Sequence, residues 1–156
     1  MSALDNLIRR LMSQRASLER AAAMVTQLPG PALQIGWGDG TAYDHLREIM
    51  RRRDIIVFDR QITAPADSPP LMAQRVIGDP RETLPQSWER CAREAALAHL
   101  NFLSPRMAAE LAPLIAPMLR SGAVVVCEAP VELPGWEAIA SVEATRDNRD
   151  HLYRVT

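Results

Sequence analysis

The stretch Leu33-Gln34-Ile35-Gly36-Trp37-Gly38-Asp39-Gly40-Thr41 constrains this chain more than any other. An apolar run leads into three glycines at alternate positions, and a helix-forming segment, 43–50, follows. Strand, glycine turn and helix is the unit that holds adenosine-bearing cofactors in doubly wound sheets. Glycine lets the backbone turn sharply and approach a ligand where a Cβ would clash. The helix that opens next points unpaired N–H groups at the same place. Without a ligand the same pattern is only a tight strand–helix turn, and the segments around it decide between the two.

Asp54-Ile55-Ile56-Val57-Phe58-Asp59-Arg60 reads as a second strand with an acid at its end. Asp59 follows Gly40 by 19 residues, where an open α/β sheet places the carboxylate that accepts the ribose hydroxyls. An acid there also serves as a turn or helix cap. Residues 61–73, with Pro65, Pro69 and Pro70, read as a loop. Gln74 to Gly78 is a third short strand, with Asp79-Pro80 at its C-terminal end. Residues 81–93 are predicted helical, with Trp88 turned inward. Ala95 to Phe102 fits a strand, since it lies between helical segments. Residues 105–120 form a helix kinked at Pro113 and Pro117 and closed by Ser121-Gly122. Ala123-Val124-Val125-Val126-Cys127 is a buried parallel strand. Segments 139–145 and 151–155 read as a terminal antiparallel hairpin.

Ahead of the first strand, Leu4, Leu7, Ile8, Leu11, Leu18, Ala22, Val25 and Leu28 form a helical stripe that Pro29-Gly30-Pro31 ends. This helix, residues 1–28, is expected to cover the sheet or the cofactor mouth. The alternative is a helix that only packs, or that meets a second copy of the chain in a homo-oligomer. Arg51-Arg52-Arg53 close the helix after the glycines, where cations favour the macrodipole.

At 156 residues the expectation is one domain, 1–156. A net charge of −1 makes no case for nucleic acid or anionic membrane as a partner. All 18 basic residues are arginine, which excludes a P-loop ATPase, a Schiff-base enzyme and a lysine general base. Cys91 and Cys127 show no metal-ligand spacing and read as buried thiols, so no metal is expected. No apolar run has the length of a membrane span, and the start lacks a signal-peptide core, so the cytoplasm is the expected compartment.

The whole reads as an α/β fold: a doubly wound, Rossmann-like, mostly parallel sheet with an N-terminal helix and a C-terminal antiparallel hairpin. In Gly36-Trp37-Gly38-Asp39-Gly40, Val57-Phe58-Asp59-Arg60 and Ile77-Gly78-Asp79 it resembles the class I S-adenosylmethionine-dependent methyltransferases. More narrowly it resembles a family of short bacterial methyltransferases of unassigned substrate. That likeness rests on Gln14-Arg15, Leu28-Pro29-Gly30-Pro31, Thr41-Ala42-Tyr43-Asp44-His45-Leu46-Arg47-Glu48, Gly78-Asp79-Pro80-Arg81-Glu82-Thr83-Leu84-Pro85 and His99.

The resemblance implies S-adenosyl-L-methionine as cofactor and methyl transfer as the reaction. It implies that Gly36, Gly38 and Gly40 touch the methionine part, that Asp59 holds the ribose and that Arg60 flanks the adenine. Asp79, with the backbone of Pro80 and Arg81, would face the adenine amino group. Arg15 would meet the methionine carboxylate, with a surface arginine as the alternative. Trp37, between two motif glycines, is expected to put its indole beside the cofactor, and Thr41, Tyr43 and Gly78 complete the cofactor set.

Two positions depart from the family pattern. Gln34 replaces an acid that helps hold the cofactor's ammonium, so Gln34→Glu is expected to tighten binding. Asn101 replaces an acid at the end of the fourth strand, and asparagine cannot act as a general base. His99 can, or it is a packed core histidine. Asn101-Phe102-Leu103-Ser104-Pro105 is also not the Asn-Pro-Pro-aromatic motif of amino-group methyltransferases. The catalytic candidates are thus His99 and Asn101, and the acceptor is by default a small molecule. The competing functions are a cofactor-binding module that catalyses nothing and a nicotinamide-dinucleotide protein.

Overall fold

The computed structural model describes residues 1–139 and 150–156. Ser2 and Asp5 cap the first helix reciprocally: the Ser2 hydroxyl accepts the Asp5 N–H, and the Asp5 carboxylate accepts the Ser2 N–H, both at 3.1 Å. This helix, α1, spans Ala3–Met24 and stops short of residue 28. Its end is held from outside. The Arg53 guanidinium donates to the carbonyls of Val25, Leu28 and Gly30 at 2.6–3.0 Å. Arg53 therefore closes α1 and the Pro-Gly-Pro turn, not the helix it follows, α2 (Thr41–Ile49).

The strands are β1 (Ala32–Ile35), β2 (Ile55–Asp59), β3 (Arg75–Ile77), β4 (Ala95–Leu100), β5 (Leu119–Cys127), β6 (Trp136–Ala138) and β7 (His151–Val155). They form one sheet in the order β3-β2-β1-β4-β5-β7-β6. The first five pair in parallel, and β7 runs antiparallel to both β5 and β6. This is the mostly parallel, doubly wound sheet that the alternation of segments predicts. Of the predicted hairpin, β7 is the second arm: it pairs with β6, and the N–H of Ile139, where the predicted first arm begins, donates to the Leu152 carbonyl at 2.8 Å. Residues 140–149 lie outside the described residues.

Proline displaces two helix ends. The predicted helix 81–93 is only α3, Pro80–Gln86, with Pro85 in its last turn and Arg93 at φ 53 beyond it. The predicted helix 105–120 ends as α4, Pro105–Ile115. A short 3₁₀ turn containing Pro117 follows, and Leu119 already belongs to β5. The loop 61–71 is organised by one side chain. Arg75 donates to the carbonyls of Ala64, Pro65, Ser68 and Pro70 at 2.7–2.9 Å.

Successive strand residues face opposite sides of the sheet, so two cores form. On one side, Leu33, Ile35, Phe58 and Leu100 pack with Leu84 of α3 and with Leu111 and Ile115 of α4. On the other, Ala32, Val57, Leu97 and Val126 pack with Leu18 and Ala21 of α1 and Leu46 of α2. The N-terminal half of α1 leaves Leu4, Leu7, Ile8 and Leu11 exposed. Cys91 and Cys127 are free and buried, and burial pushes the Cys127 thiol up to about 11. Among the described residues, no helix is long and apolar enough to cross a membrane.

Candidate functional site

The strand order reverses between β1 and β4, because β1 leads to β2 on one side and β4 lies on the other. Ligands of open α/β sheets bind at such a point, outside the C-terminal strand ends. The glycine loop leaves β1 here, and Asn101 leaves β4 beside it. The Asn101 N–H donates to the Ile35 carbonyl at 2.8 Å, and the Gly36 N–H donates to the Phe58 carbonyl at 2.9 Å.

The three glycines do different work. Gly36 has φ 101, and a Cβ on it would lie 2.5 Å from the Asn101 carbonyl oxygen, so close approach of β4 demands glycine. Gly40 has φ 87, and a Cβ would lie 2.6 Å from the Trp37 ring. Gly38 is exposed, and its nearest neighbours would be the Asn101 amide nitrogen at 3.6 Å and the Phe102 ring at 3.9 Å. Of the three, only Gly38 is exposed and would accept a Cβ without a contact shorter than 3.6 Å.

Trp37 follows a different course from the one its position suggests. Its indole is 5% exposed, donates from Nε1 to the Thr63 hydroxyl at 3.2 Å and lies on the Tyr43 ring, centroids 5.2 Å apart. The missing Cβ of Gly40 opens the slot that takes the ring inward. The backbone N–H of Trp37, not its indole, points to the crevice residues, donating to Asp59 Oδ2 at 2.7 Å. Tyr43 is likewise a core residue, and burial pushes its hydroxyl pKa up. The Thr41 hydroxyl donates to Asp39 Oδ1 at 2.7 Å, which holds the Asp39 carboxyl below its usual range.

Asp59 ends β2 half-buried, with Oδ1 accepting the Arg60 N–H at 2.6 Å as well. Each carboxylate oxygen keeps a lone pair for a ligand hydroxyl. The β2–β3 edge continues the site: the Gly78 N–H donates to the Asp59 carbonyl at 3.0 Å. Asp79 caps α3, taking the Arg81 N–H at 3.0 Å, while Pro80 fills the first helical position. Its other oxygen accepts from Arg60 Nη2 at 2.8 Å, so Arg60 and Asp79 close the edge together.

Arg15 stands elsewhere. Its side chain is 72% exposed and pairs with Glu19 on the outer face of α1. One residue on a helix is a turn of about 100°, and its neighbour Gln14 is the one that faces inward. Gln14 Nε2 donates to Asn101 Oδ1 at 2.9 Å in a buried contact. Arg10 also reaches the strand ends: its Nε is 3.2 Å from Glu128 Oε1, and its guanidinium lies 4.1 Å over the Phe102 ring. In the sequence Gln14 shows as a polar residue inside the stripe Leu7, Leu11, Leu18, and beside Arg15 in the family likeness.

The two catalytic candidates do not stand as free bases. Asn101 uses both ends of its amide, accepting from Gln14 and donating from Nδ2 to the Gly36 carbonyl at 3.2 Å. His99 is 2% exposed under α1, and its Nδ1 has no hydrogen-bond partner. Burial depresses its pKa from 6.5 to about 4, so it is neutral and enclosed, which corrects the expectation of a general base. Between those two values the unfolded chain binds a proton that the folded chain refuses. His99 therefore withdraws stability as pH falls from about 6.5 to 4, by roughly 3 kcal/mol in total. Asp150, raised by burial from 3.8 to about 6, acts in the opposite sense over much of the same window. Urea unfolding of wild type and His99→Gln across this range isolates the term: the wild type loses more stability on acidification than the variant.

Gln34 is fully buried, and its register partner on β4 is His99. Its Nε2 donates to the Gly36 carbonyl at 3.1 Å, and its Oε1 has no partner. A carboxylate there loses the donor and faces the carbonyl. Gln34→Glu is thus expected to cost about 1–3 kcal/mol of stability and to weaken S-adenosylhomocysteine, the reverse of the family-based expectation. Urea unfolding and calorimetry check the two signs.

A groove of about 780 Å³, lined by residues 28–31 and 48–54 among others, lies at the N-terminal strand ends, away from the glycine loop. The crevice residues fit an adenosine cofactor better: a carboxylate with spare lone pairs, an exposed glycine, and an orphaned amide oxygen behind the loop.

Comparison with known proteins gives the same cofactor. A family model described as S-adenosyl-L-methionine methyltransferase matches residues 1–155. The crystal structure of an S-adenosyl-L-methionine methyl transferase from Silicibacter pomeroyi DSS-3 is 36% identical. It covers 100% of this chain and 99% of its own, at a TM-score of 0.90. CalS11, a TDP-rhamnose 3'-O-methyltransferase of calicheamicin biosynthesis, shares the fold at 18% identity over 92% of this chain and 79% of its own, with a TM-score of 0.62. The fibrillarin pre-rRNA processing protein of Methanococcus jannaschii shares it at 13% identity, 81% and 66% coverage and a TM-score of 0.57. No curated protein matches the sequence. The nicotinamide-dinucleotide reading falls with these matches and with the antiparallel β7. The chain belongs to the S-adenosyl-L-methionine methyltransferase family.

Proposed function

We propose that the chain transfers a methyl group from S-adenosyl-L-methionine to a small-molecule acceptor at the C-terminal ends of β1, β2 and β4. One observation carries the reading: the Gly36–Trp37 peptide and the Asp59 carboxylate are locked together at 2.7 Å, beside the exposed Gly38. Asp59 would hold the ribose hydroxyls, and the backbone at Gly38 would lie along the cofactor. When bound, S-adenosyl-L-methionine supplies an electrophilic methyl group. The chain's own part is to orient the cofactor and the acceptor and to keep water out, so rate comes from proximity and alignment. A small acceptor suits a chain with a net charge of −1.

A second reading, cofactor binding without turnover, draws on the engaged Asn101 amide and the enclosed His99. Single-turnover methyl transfer from labelled cofactor to a panel of hydroxy, amino and thiol metabolites decides. Transfer to any member supports the enzyme. Tight cofactor binding with no transfer across the panel supports the second reading.

A further inference from the structure

We propose that Gln14 is a positioning residue that sets the glycine loop from the N-terminal helix, through Asn101. The inference rests on the cofactor reading above and concerns how that site is held in shape.

Gln14 is 5% exposed in an apolar stripe, where a polar group is costly unless it is bonded. Its Nε2 donates to Asn101 Oδ1 at 2.9 Å, and Asn101 Nδ2 donates to the Gly36 carbonyl at 3.2 Å. Gln34 Nε2 donates to the same carbonyl at 3.1 Å. Two donors saturate the two lone pairs of that oxygen. The other end of the same peptide unit, the Trp37 N–H, is held by Asp59 at 2.7 Å. The Gly36–Trp37 peptide plane is therefore clamped at both ends, and it leads directly into Gly38.

The direction of the chain of amides follows from chemistry. A carbonyl only accepts, so Asn101 must turn its nitrogen to Gly36 and its oxygen to α1. The group on α1 must then be a donor. Glutamine supplies one at this position, and Gln14→Glu, of the same size, removes it. Arg15, one position on, faces solvent and has no part in this.

Three variants test the coupling: Gln14→Leu, Asn101→Ser and the two together, with Gln14→Glu as a second probe of position 14 should Gln14→Leu not fold. Hydrogen–deuterium exchange is expected to rise at least fivefold in segment 36–40 of the Gln14 variants and to stay unchanged in 123–127. S-adenosylhomocysteine is expected to bind about tenfold more weakly to each single variant. The double variant should be no weaker than the weaker single, because Gln14 acts through Asn101. Unchanged exchange at 36–40, or losses that add in the double variant, overturn the proposal. The exchange measurement needs no ligand. A wild type that fails to bind S-adenosylhomocysteine would thus sink the cofactor reading alone.

Discussion

Gly36→Ala is expected to destabilise the chain by about 3 kcal/mol or more, while Gly38→Ala costs on the order of 1 kcal/mol. At Gly36 two costs combine. A left-handed backbone far from the usual αL well costs about 1–3 kcal/mol for a residue with a Cβ. The added methyl also meets the Asn101 carbonyl oxygen, a backbone atom, at 2.5 Å, and such overpacking costs about 1–3 kcal/mol. At Gly38, φ 62 is within the αL region and the nearest heavy atom is 3.6 Å away, so only the left-handed preference is lost, about 1–2 kcal/mol. Cofactor binding should reverse the emphasis per unit of stability lost. Gly38→Ala leaves the fold nearly intact but places its methyl on the exposed side of the loop, where the proposed cofactor would lie. Urea midpoints and calorimetric titration of the two variants separate the glycine that serves packing from the glycine proposed to line the cofactor. Equal destabilisation by both would mean that β4 does not press on Gly36.

Asp59→Ala is expected to lower affinity for S-adenosylhomocysteine by tenfold or more. The carboxylate is the one group that would both grip the ribose and fasten the loop, since its oxygens also accept the N–H groups of Trp37 and Arg60. Hydrogen bonds to a charged acceptor contribute about 1.5–3 kcal/mol each, so losing the ligand contacts alone accounts for the tenfold. Two backbone N–H groups are left without this acceptor, so the melting temperature should fall too. Asp59→Asn keeps one acceptor oxygen and should sit between wild type and Asp59→Ala in both measurements. Affinity unchanged in Asp59→Ala would place the ligand away from the end of β2.

The frame of this site is legible in the sequence because it is local. Glycines at alternate positions between an apolar run and a helix, then acids at two strand ends, announce β1, α2, Asp59 and Asp79 through spacing alone. What is not legible depends on rotation and depth. Arg15 and Gln14 are adjacent, and only the packing of Leu18 and Ala21 on the sheet decides which of them turns inward. Trp37 reads as a loop side chain near the ligand, yet the space left by Gly40 draws it into the core. His99 sits on a strand whose two faces are both covered, so its enclosure follows from α1 lying across that face. Arg53 reads as a cation for the end of its own helix, but it gathers backbone carbonyls 23–28 residues away. Proline marks where α3 and α4 stop, and the positions of Pro85 and Pro117 could have shortened both helices at the outset.

The proposed function requires that the Gly36–Gly40 and Asp59 crevice take the cofactor. Titration calorimetry of the wild-type chain with S-adenosylhomocysteine, alongside NAD under the same conditions, measures this. Saturable binding of S-adenosylhomocysteine at one site per chain, with no binding of NAD, is the expected result. Absence of heat with S-adenosylhomocysteine at high concentration would contradict this, whatever NAD does.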